Sequence, residues 1–368
     1  LKFLGENNKY NIAVLPGDGI GVEVIDAALA VLASVQKQIG GFELVNEMLP
    51  AGAGHFRDHG EALPAETLKA AEDADAILLG AMGLPDVRYT DGTEISPQID
   101  LRFNFGLYAG VRPIKTYENG PGVLADPQSS NIDFVLIRES TEGLFASHGK
   151  GEVIDDVEAR DTLVITRKTS ERLFDFTFGL GRRRRQQGHQ GRVTLVDKAN
   201  VFKSFAFFRQ IFDERAASFP EINADHLYVD ATALEMVRRP WEFDVLVTEN
   251  MFGDILSDLA AGLVGGMGFA PSADIGDDQA VFQPAHGTAP DIAGTGVANP
   301  IATILSASMM LEWLGVQHQN ENCREAASLV ESAVTNAITE QRILTRDAGG
   351  THNTQDVVDA VIAAIENS

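Results

Sequence analysis

Two aspartates four residues apart, Asp254 and Asp258, stand in the run VLVTENMFGDILSD. That spacing puts both on one face of a helix expected to begin near Asp254, with Gly253 allowing the backbone to bend into it. Like charges so placed weaken a helix unless something compensates. The helix N-terminal dipole favours Asp254 but reaches Asp258 poorly. A divalent cation resolves the repulsion, and all-oxygen ligation suits Mg²⁺ or Mn²⁺ over Zn²⁺. The competing reading is an ordinary pair of surface acids. Asp230 closes the run LYVDA, where it is either a third carboxylate or a helix cap. Lys198, in VDKAN, also follows an apolar run. A lysine at a strand end beside carboxylates and a cation serves as a base, or else as half of a salt bridge.

Arg102, Arg112 and Arg138 each border an apolar run, in IDLR, AGVRP and VLIRE. Guanidiniums at such edges need partners. Bidentate recognition of carboxylates is one use, and ion pairs with the neighbouring Asp100 or Glu139 are the other. His286 lies in QPAHGTAPDIAGTGVANP, whose small residues let a flat ligand approach the backbone. There Asp291 suits a ribose diol, while a satisfied loop histidine is the plainer reading of His286. PGDGIG (16–21) resembles a dinucleotide-binding turn, but its glycines at 17, 19 and 21 miss the GxGxxG spacing. It reads equally well as a tight structural turn.

These residues need elements to hold them. Short β-rich runs alternate with longer helical ones, the pattern of an α/β fold. Strands are expected at 11–15, 42–47, 76–79, 134–137, 193–196, 227–229 and 245–248. Val22, Ile25, Leu29 and Leu32 recur at helical spacing. The stretch 300–314 reads as a buried helix with Pro300 in its first turn, and helices follow near 322–340 and 355–366. The polar stretch 119–131 reads as an exposed loop.

Composition narrows the function. The chain has 368 residues, enough for two domains, and a net charge of 29 − 53 = −24. Such a surface repels phosphate backbones, so nucleic-acid binding is not expected. The basic run Arg182–Arg185 reads as a solvated helix end. Cys323 is the single cysteine, which excludes an intrachain disulfide, reads as inert, and fits a reducing, cytoplasmic setting. No run is long and apolar enough to cross a membrane. The opening LKFLGENNKY lacks the apolar stretch of a signal peptide, and residues 1–8 read as a lead ahead of the first strand.

The ordered set LPGDGIG, LR…VRP, RESTEG, VDKAN, VDA, NMFGDILSD and HGTAPDIAG…ANP resembles one family over nearly the whole chain. That family comprises the isocitrate, 3-isopropylmalate, homoisocitrate, tartrate and D-malate dehydrogenases. The resemblance implies two interleaved α/β domains with a cleft between them. Residues 1–107 with 265–368 would form a large, mostly NAD-binding domain. Residues 108–264 would form a small domain with a clasp arm near 150–167. It implies a homodimer with shared active sites, Lys198 and Asp230 serving the partner's site. Asp254, Asp258 and the neighbour's Asp230 would hold Mg²⁺ or Mn²⁺. Arg102, Arg112 and Arg138 would clamp a malate-type hydroxy acid, and Lys198 would take its hydroxyl proton. Asp291 and Ile292 follow HGTAP, which implies NAD over NADP; His286, Gly287, Ala289 and Asn299 would line the adenosine side.

Two departures matter. The family usually carries a tyrosine where this chain has Phe145, in EGLF, and that tyrosine protonates the enol after CO₂ loss. Water, or a neighbour such as Ser147 or His148, is expected to take over. Oxidation without decarboxylation and a slow last step stay open, as does a non-catalytic regulatory subunit. Before Arg102 the chain reads GTEISPQID, offering Ser96 and Gln98 beside Ile99. That set favours a substrate with a polar side group or none.

Overall fold

A computed structural model describes residues 8–368. The expected lead at 1–8 thus falls almost entirely outside the described residues. Strands β1 (Lys9–Gly17), β2 (Glu43–Met48) and β3 (Ala76–Ala81) are interleaved with helices α1 (Gly21–Ile39), α2 (Ala53–His59) and α3 (Ala65–Asp73). Helix α4 (Pro97–Phe105) leads into β4 (Ala109–Lys115) and β5 (Asp133–Glu139). A small hairpin, β6 (Glu152–Ile154) with β7 (Glu158–Arg160), precedes α5 (Arg167–Gln186). Then come β8 (Arg192–Asp197), α6 (Lys203–Ala216), β9 (Asn223–Tyr228), α7 (Val229–Arg238), β10 (Val245–Thr248) and α8 (Asn250–Leu263). The hairpin of β11 (Pro271–Ile275) and β12 (Ala280–Pro284) is followed by α9 (Ile301–His318), α10 (Glu321–Thr339) and α11 (Thr354–Glu366).

Ten strands form one sheet in the order β2-β1-β3-β12-β11-β4-β5-β10-β8-β9. Pairing is parallel at both ends and antiparallel across β12–β11–β4–β5. Side chains alternate between the two faces of a strand. Ile12, Val14, Leu78, Val135, Ile137, Val245 and Val247 therefore share one face, and join residues of α1, α5, α6, α9, α10 and α11 in a single continuous core. The intervening residues share the opposite face, where the core is split. Ala13, Leu15, Ile77 and Leu79 pack with Leu101 of α4. Phe134, Leu136 and Leu246 pack with Leu256 of α8. By the same alternation, Arg112, Arg138 and Asp274 fall on this split face, on the central strands β4, β5 and β11.

Several sequence expectations need correcting. Strands β4, β11 and β12 were not anticipated; their five to seven residues are broken by Gly, Pro, Arg or Asp. The strand expected at 227–229 ends at Tyr228, and Val229 opens α7, so Asp230 stands in a helical first turn. Pro300 precedes α9 as its cap. Arg184 of the basic run turns inward, donating to Asp244 at 2.6 Å and to Asp133 at 3.1 Å, so that run is only partly solvated. Cys323 is fully buried, and burial pushes its thiol up to about 12, in keeping with an inert side chain.

Candidate active site

The three arginines are brought together by strand register and by α4. Antiparallel pairing sets Gly110 of β4 opposite both Asp274 of β11 and Arg138 of β5. Arg102 reaches the same place from α4. Neither Asp100 nor Glu139 pairs with these arginines. Instead Asp274, fully buried, accepts from Arg102 Nε at 3.0 Å and from Arg112 Nη2 at 3.1 Å. Arg112 Nη1 also donates to the carbonyls of Ala273 and Val111. Burial alone would push the Asp274 carboxyl up, but Arg102, Arg112 and Arg138 outweigh it and hold the group well below its ordinary range.

Arg138 joins this cluster to the acid pair. Its Nε and Nη2 donate to Asn250 Oδ1 at 2.9 and 2.8 Å, and its Nη1 donates to Asp254. Burial, with the like charge of Arg102, lowers the guanidinium to about 10, although Asp254 pulls the other way. Helix α8 begins at Asn250, earlier than expected, because Glu249 caps it by accepting from Phe252 N and Met251 N. Asp254 is thus in the second turn, beyond most of the dipole's benefit. Gly253 is helical and makes no bend. A Cβ there would lie 2.7 Å from both Cβ and Cγ of Arg138, so the glycine permits a close helix–strand approach. Asp258 is raised by burial and then by Asp254. Two oxygen-only donors on one helical face suit a hard divalent cation. Among the described residues, no three His, Cys, Asp or Glu side chains gather into a metal-binding group. Asp230 therefore does not join Asp254 and Asp258 within one chain.

Lys198 and Asp230 meet each other instead, Nζ donating to Oδ1 at 2.5 Å. The Asp230 carboxylate is 70% exposed and is lowered by that lysine. Val201, Phe202, Tyr228, Leu234, Val237 and Ile255 are also exposed, on α7, α8 and the segments leading into α6 and α7.

PGDGIG proves to be structural. Asp18 accepts from the backbone of Ala53, Gly54 and Gly83 at 2.7, 2.7 and 2.9 Å. A Cβ on Gly19, whose φ is positive, would sit 2.1 Å from the Thr288 carbonyl. Ile20 N donates to the same carbonyl at 2.8 Å, so the turn packs against the segment carrying His286. That segment is fastened at Gly294 and Gly296, whose amides donate to Glu23 of α1. Ile292 and Ala289 pack on Ile20 and Val24, while Gly287 and Asp291 stay exposed. Asn299 accepts from Ile301 N and donates to Asp347. His286 Nδ1 bonds the Gly287 carbonyl at 2.9 Å, and burial lowers the imidazole, so the proton rests on Nδ1. Its Nε2 is buried and, among the described residues, has no partner, an acceptor facing no donor. An orphaned acceptor on a loop of small residues, with an exposed carboxylate nearby, fits a dinucleotide's adenosine half.

Ahead of Arg102, Ser96 precedes α4 and donates to the Glu94 carbonyl at 3.3 Å, while Gln98 Oε1 is buried without a partner among the described residues. Phe145 lies under the Arg138 guanidinium, 5.1 Å from centroid to Cζ. Ser147 is not free to replace a tyrosine, because its hydroxyl donates to Thr162 O and accepts from Thr162 N. His148 is exposed and stacks on Phe103 at 6.4 Å. Sequence reading missed Asp274 and Asn250. A faint signal existed for the first: a lone acid inside the apolar run PSADI.

Comparison with known proteins finds relatives along nearly the whole chain. A family model described as isocitrate/isopropylmalate dehydrogenase matches residues 11–361. A 3-isopropylmalate/3-methylmalate dehydrogenase of Methanocaldococcus jannaschii is 42% identical, over 96% of this chain and 98% of that protein. A homoisocitrate dehydrogenase of the same organism is 40% identical, over 95% and 96%. The crystal structure of an isocitrate dehydrogenase from Methylococcus capsulatus aligns with TM-score 0.83 at 36% identity, covering 97% of this chain and 99% of that one.

Proposed function

This chain belongs to the isocitrate/isopropylmalate dehydrogenase family of decarboxylating hydroxy-acid dehydrogenases, and we propose that it oxidises a malate-type 2-hydroxy acid bearing a polar side group or none. The observation that carries this reading is the junction of Arg102, Arg112 and Arg138 with Asp254 through the Arg138 ion pair. Carboxylate-binding donors and hard oxygen ligands stand side by side there. A 2-hydroxy acid needs both.

Asp254 and Asp258, with Asp230 of a second copy, would hold Mg²⁺ or Mn²⁺, which supplies Lewis acidity at the substrate oxygens. NAD, accepting hydride, would lie along His286, Gly287, Ala289, Asp291, Ile292 and Asn299. Arg102, Arg112 and Arg138 grip the substrate carboxylates and fix C2 for hydride departure. Lys198, oriented by Asp230, takes the hydroxyl proton. Oxidation at C2 then leaves a ketone β to a carboxylate, the arrangement that loses CO₂. With Phe145 unable to donate and Ser147 committed, the enol carbon takes its proton from water or from His148.

The working unit is a homodimer with shared sites. The exposed Asp230, bonded to a half-buried Lys198, and the exposed apolar side chains around α7 support a partner on that side. The domain division, 1–107 with 265–368 against 108–264, is supported by the strand order. Strands of the first set fill one half of the sheet, those of the second fill the other, and the two meet at β11–β4. The hairpin β6–β7, with Val153 and Val157 exposed, is assigned to the arm. The test is NAD reduction with Mn²⁺ against D-malate, tartrate, isocitrate, homoisocitrate and 3-isopropylmalate. Turnover of D-malate or tartrate is expected. Turnover of 3-isopropylmalate alone would overturn the side-group reading, and none at all would overturn the activity.

A further inference from the structure

Asp274 is an acid buried directly against the arginine cluster, and its bonds run to side chains of the split sheet face and of α4. Oδ2 accepts from Arg102 Nε at 3.0 Å and Gln283 Nε2 at 2.9 Å. Oδ1 accepts from Arg112 Nη2 at 3.1 Å and Ser140 Oγ at 3.4 Å. Four donors fix the carboxylate, and the carboxylate in turn fixes two guanidiniums. Arg102 commits only Nε. Its two terminal nitrogens make no protein hydrogen bond among the described residues, so they remain available to a ligand.

The other acids nearby are otherwise engaged. Glu139 accepts from Thr141 N, Thr141 Oγ1 and Glu142 N within its own turn. Glu249 caps α8. Asp254 and Asp258 carry two negative charges that a divalent cation offsets, and the charge of Asp230 from a second copy is offset by its ion pair with Lys198. What a substrate meets is thus three guanidiniums less one buried carboxylate, two positive charges in all.

Resting on the dehydrogenase reading above, we propose that Asp274 is a positioning and specificity-determining residue. It holds Arg102 and Arg112 in place and trims the cluster to a charge matched by two substrate carboxylates rather than three. A third carboxylate would enter a partly desolvated cleft beside a fixed negative charge, with no cation left to meet it.

Calorimetric binding of D-malate and of isocitrate to the full Mg²⁺-loaded chain, without NAD so that no turnover occurs, tests this. The native protein is expected to bind D-malate more tightly. Asp274→Asn keeps the shape and one acceptor oxygen but removes the charge. It should shift the affinity ratio toward isocitrate by at least about tenfold, as expected for a unit charge removed within about 10 Å at an effective dielectric near 20. Asp274→Ser, which is also too short to hold either arginine, should shift the ratio likewise while weakening both ligands further. A merely structural role would weaken both equally and leave the ratio fixed, which overturns the proposal. So does native protein that prefers isocitrate, a result needing no variant. Failure of NAD reduction with the binding ratio intact would sink the dehydrogenase reading and leave the charge rule standing.

Discussion

Replacing Gly253 with alanine sets two effects against each other. Gly253 has ordinary helical geometry, so alanine there should add roughly 1 kcal/mol of helix propensity. The new Cβ, however, would sit 2.7 Å from Arg138 Cβ and Cγ and 3.2 Å from its Cα. These atoms belong to the strand and the root of the side chain, so they cannot swing aside. Overpacking of this kind costs about 1–3 kcal/mol. The net is a loss of up to about 2 kcal/mol; for a chain this long, with unfolding entropy near 2.1 cal/mol/K per residue, that lowers Tm by only about 1–3 °C. Function should suffer more. Arg138 is tethered to Asn250 on the same helix, so moving α8 off β5 displaces the guanidinium. A shift of about 1 Å in a positioning group can cost about a hundredfold, and KM for the hydroxy acid should rise at least tenfold. Thermal unfolding and steady-state kinetics read the two parts separately. A variant that is more stable by about 1 kcal/mol, with unchanged KM, would refute the close-approach argument.

Glu139 gives a pH prediction. Burial pushes it up to about 7 from its ordinary 4.5, so the folded chain keeps a proton that the unfolded chain has released. Its contribution to stability therefore falls as pH rises from 4.5 to about 7 and levels off above. Glu139→Gln should flatten that part of a denaturant-midpoint profile, and equal slopes in the two proteins would contradict it. Asp291 is exposed, so Asp291→Lys should leave Tm unchanged. Reversing one charge near the ribose should shift NAD/NADP preference by about tenfold or more, read as the ratio of kcat/KM values. Phe145 cannot protonate the enol, yet NADH and CO₂ are expected in equal yield, with Phe145→Tyr changing the rate and not the stoichiometry. NADH without CO₂ would favour the oxidation-only reading.

The sequence was most legible where pattern and element coincide. Parallel strands such as 76–81 and 245–248 are continuous apolar runs because both faces are buried. Central strands β4 and β11 were not legible, because one of their faces lines the site. Arg112 and Asp274 interrupt the apolar pattern just where it would have announced a strand. Arg102, Arg112 and Arg138 were each visible as a charge seeking a partner. For Arg102 and Arg112 that partner is Asp274, 172 and 162 positions away, and for Arg138 it is Asp254, 116 positions away, all beyond the reach of local reading. PGDGIG misled in the opposite direction. Its glycines do make room, but for the Thr288 carbonyl and the Ala81 backbone and not for a phosphate. Lys198 and Asp230 were each legible as a charge after an apolar run, but their pairing, 32 positions apart, was not.

The central claim is that each site combines Arg102, Arg112, Arg138, Asp254 and Asp258 of one chain with Lys198 and Asp230 of another. Subunit mixing tests it. Lys198→Ala and Asp258→Asn are each expected to be inactive as purified homodimers. After co-denaturation and refolding together, a mixed dimer would gather both defects in one site and leave the other intact. Half the dimers are mixed and half their sites are whole, so activity should return to about one quarter of native in a two-fold symmetric assembly. No recovery, with mixed dimers demonstrated by differential tagging, would mean that Lys198 serves its own chain's carboxylates, and the shared-site account would be wrong.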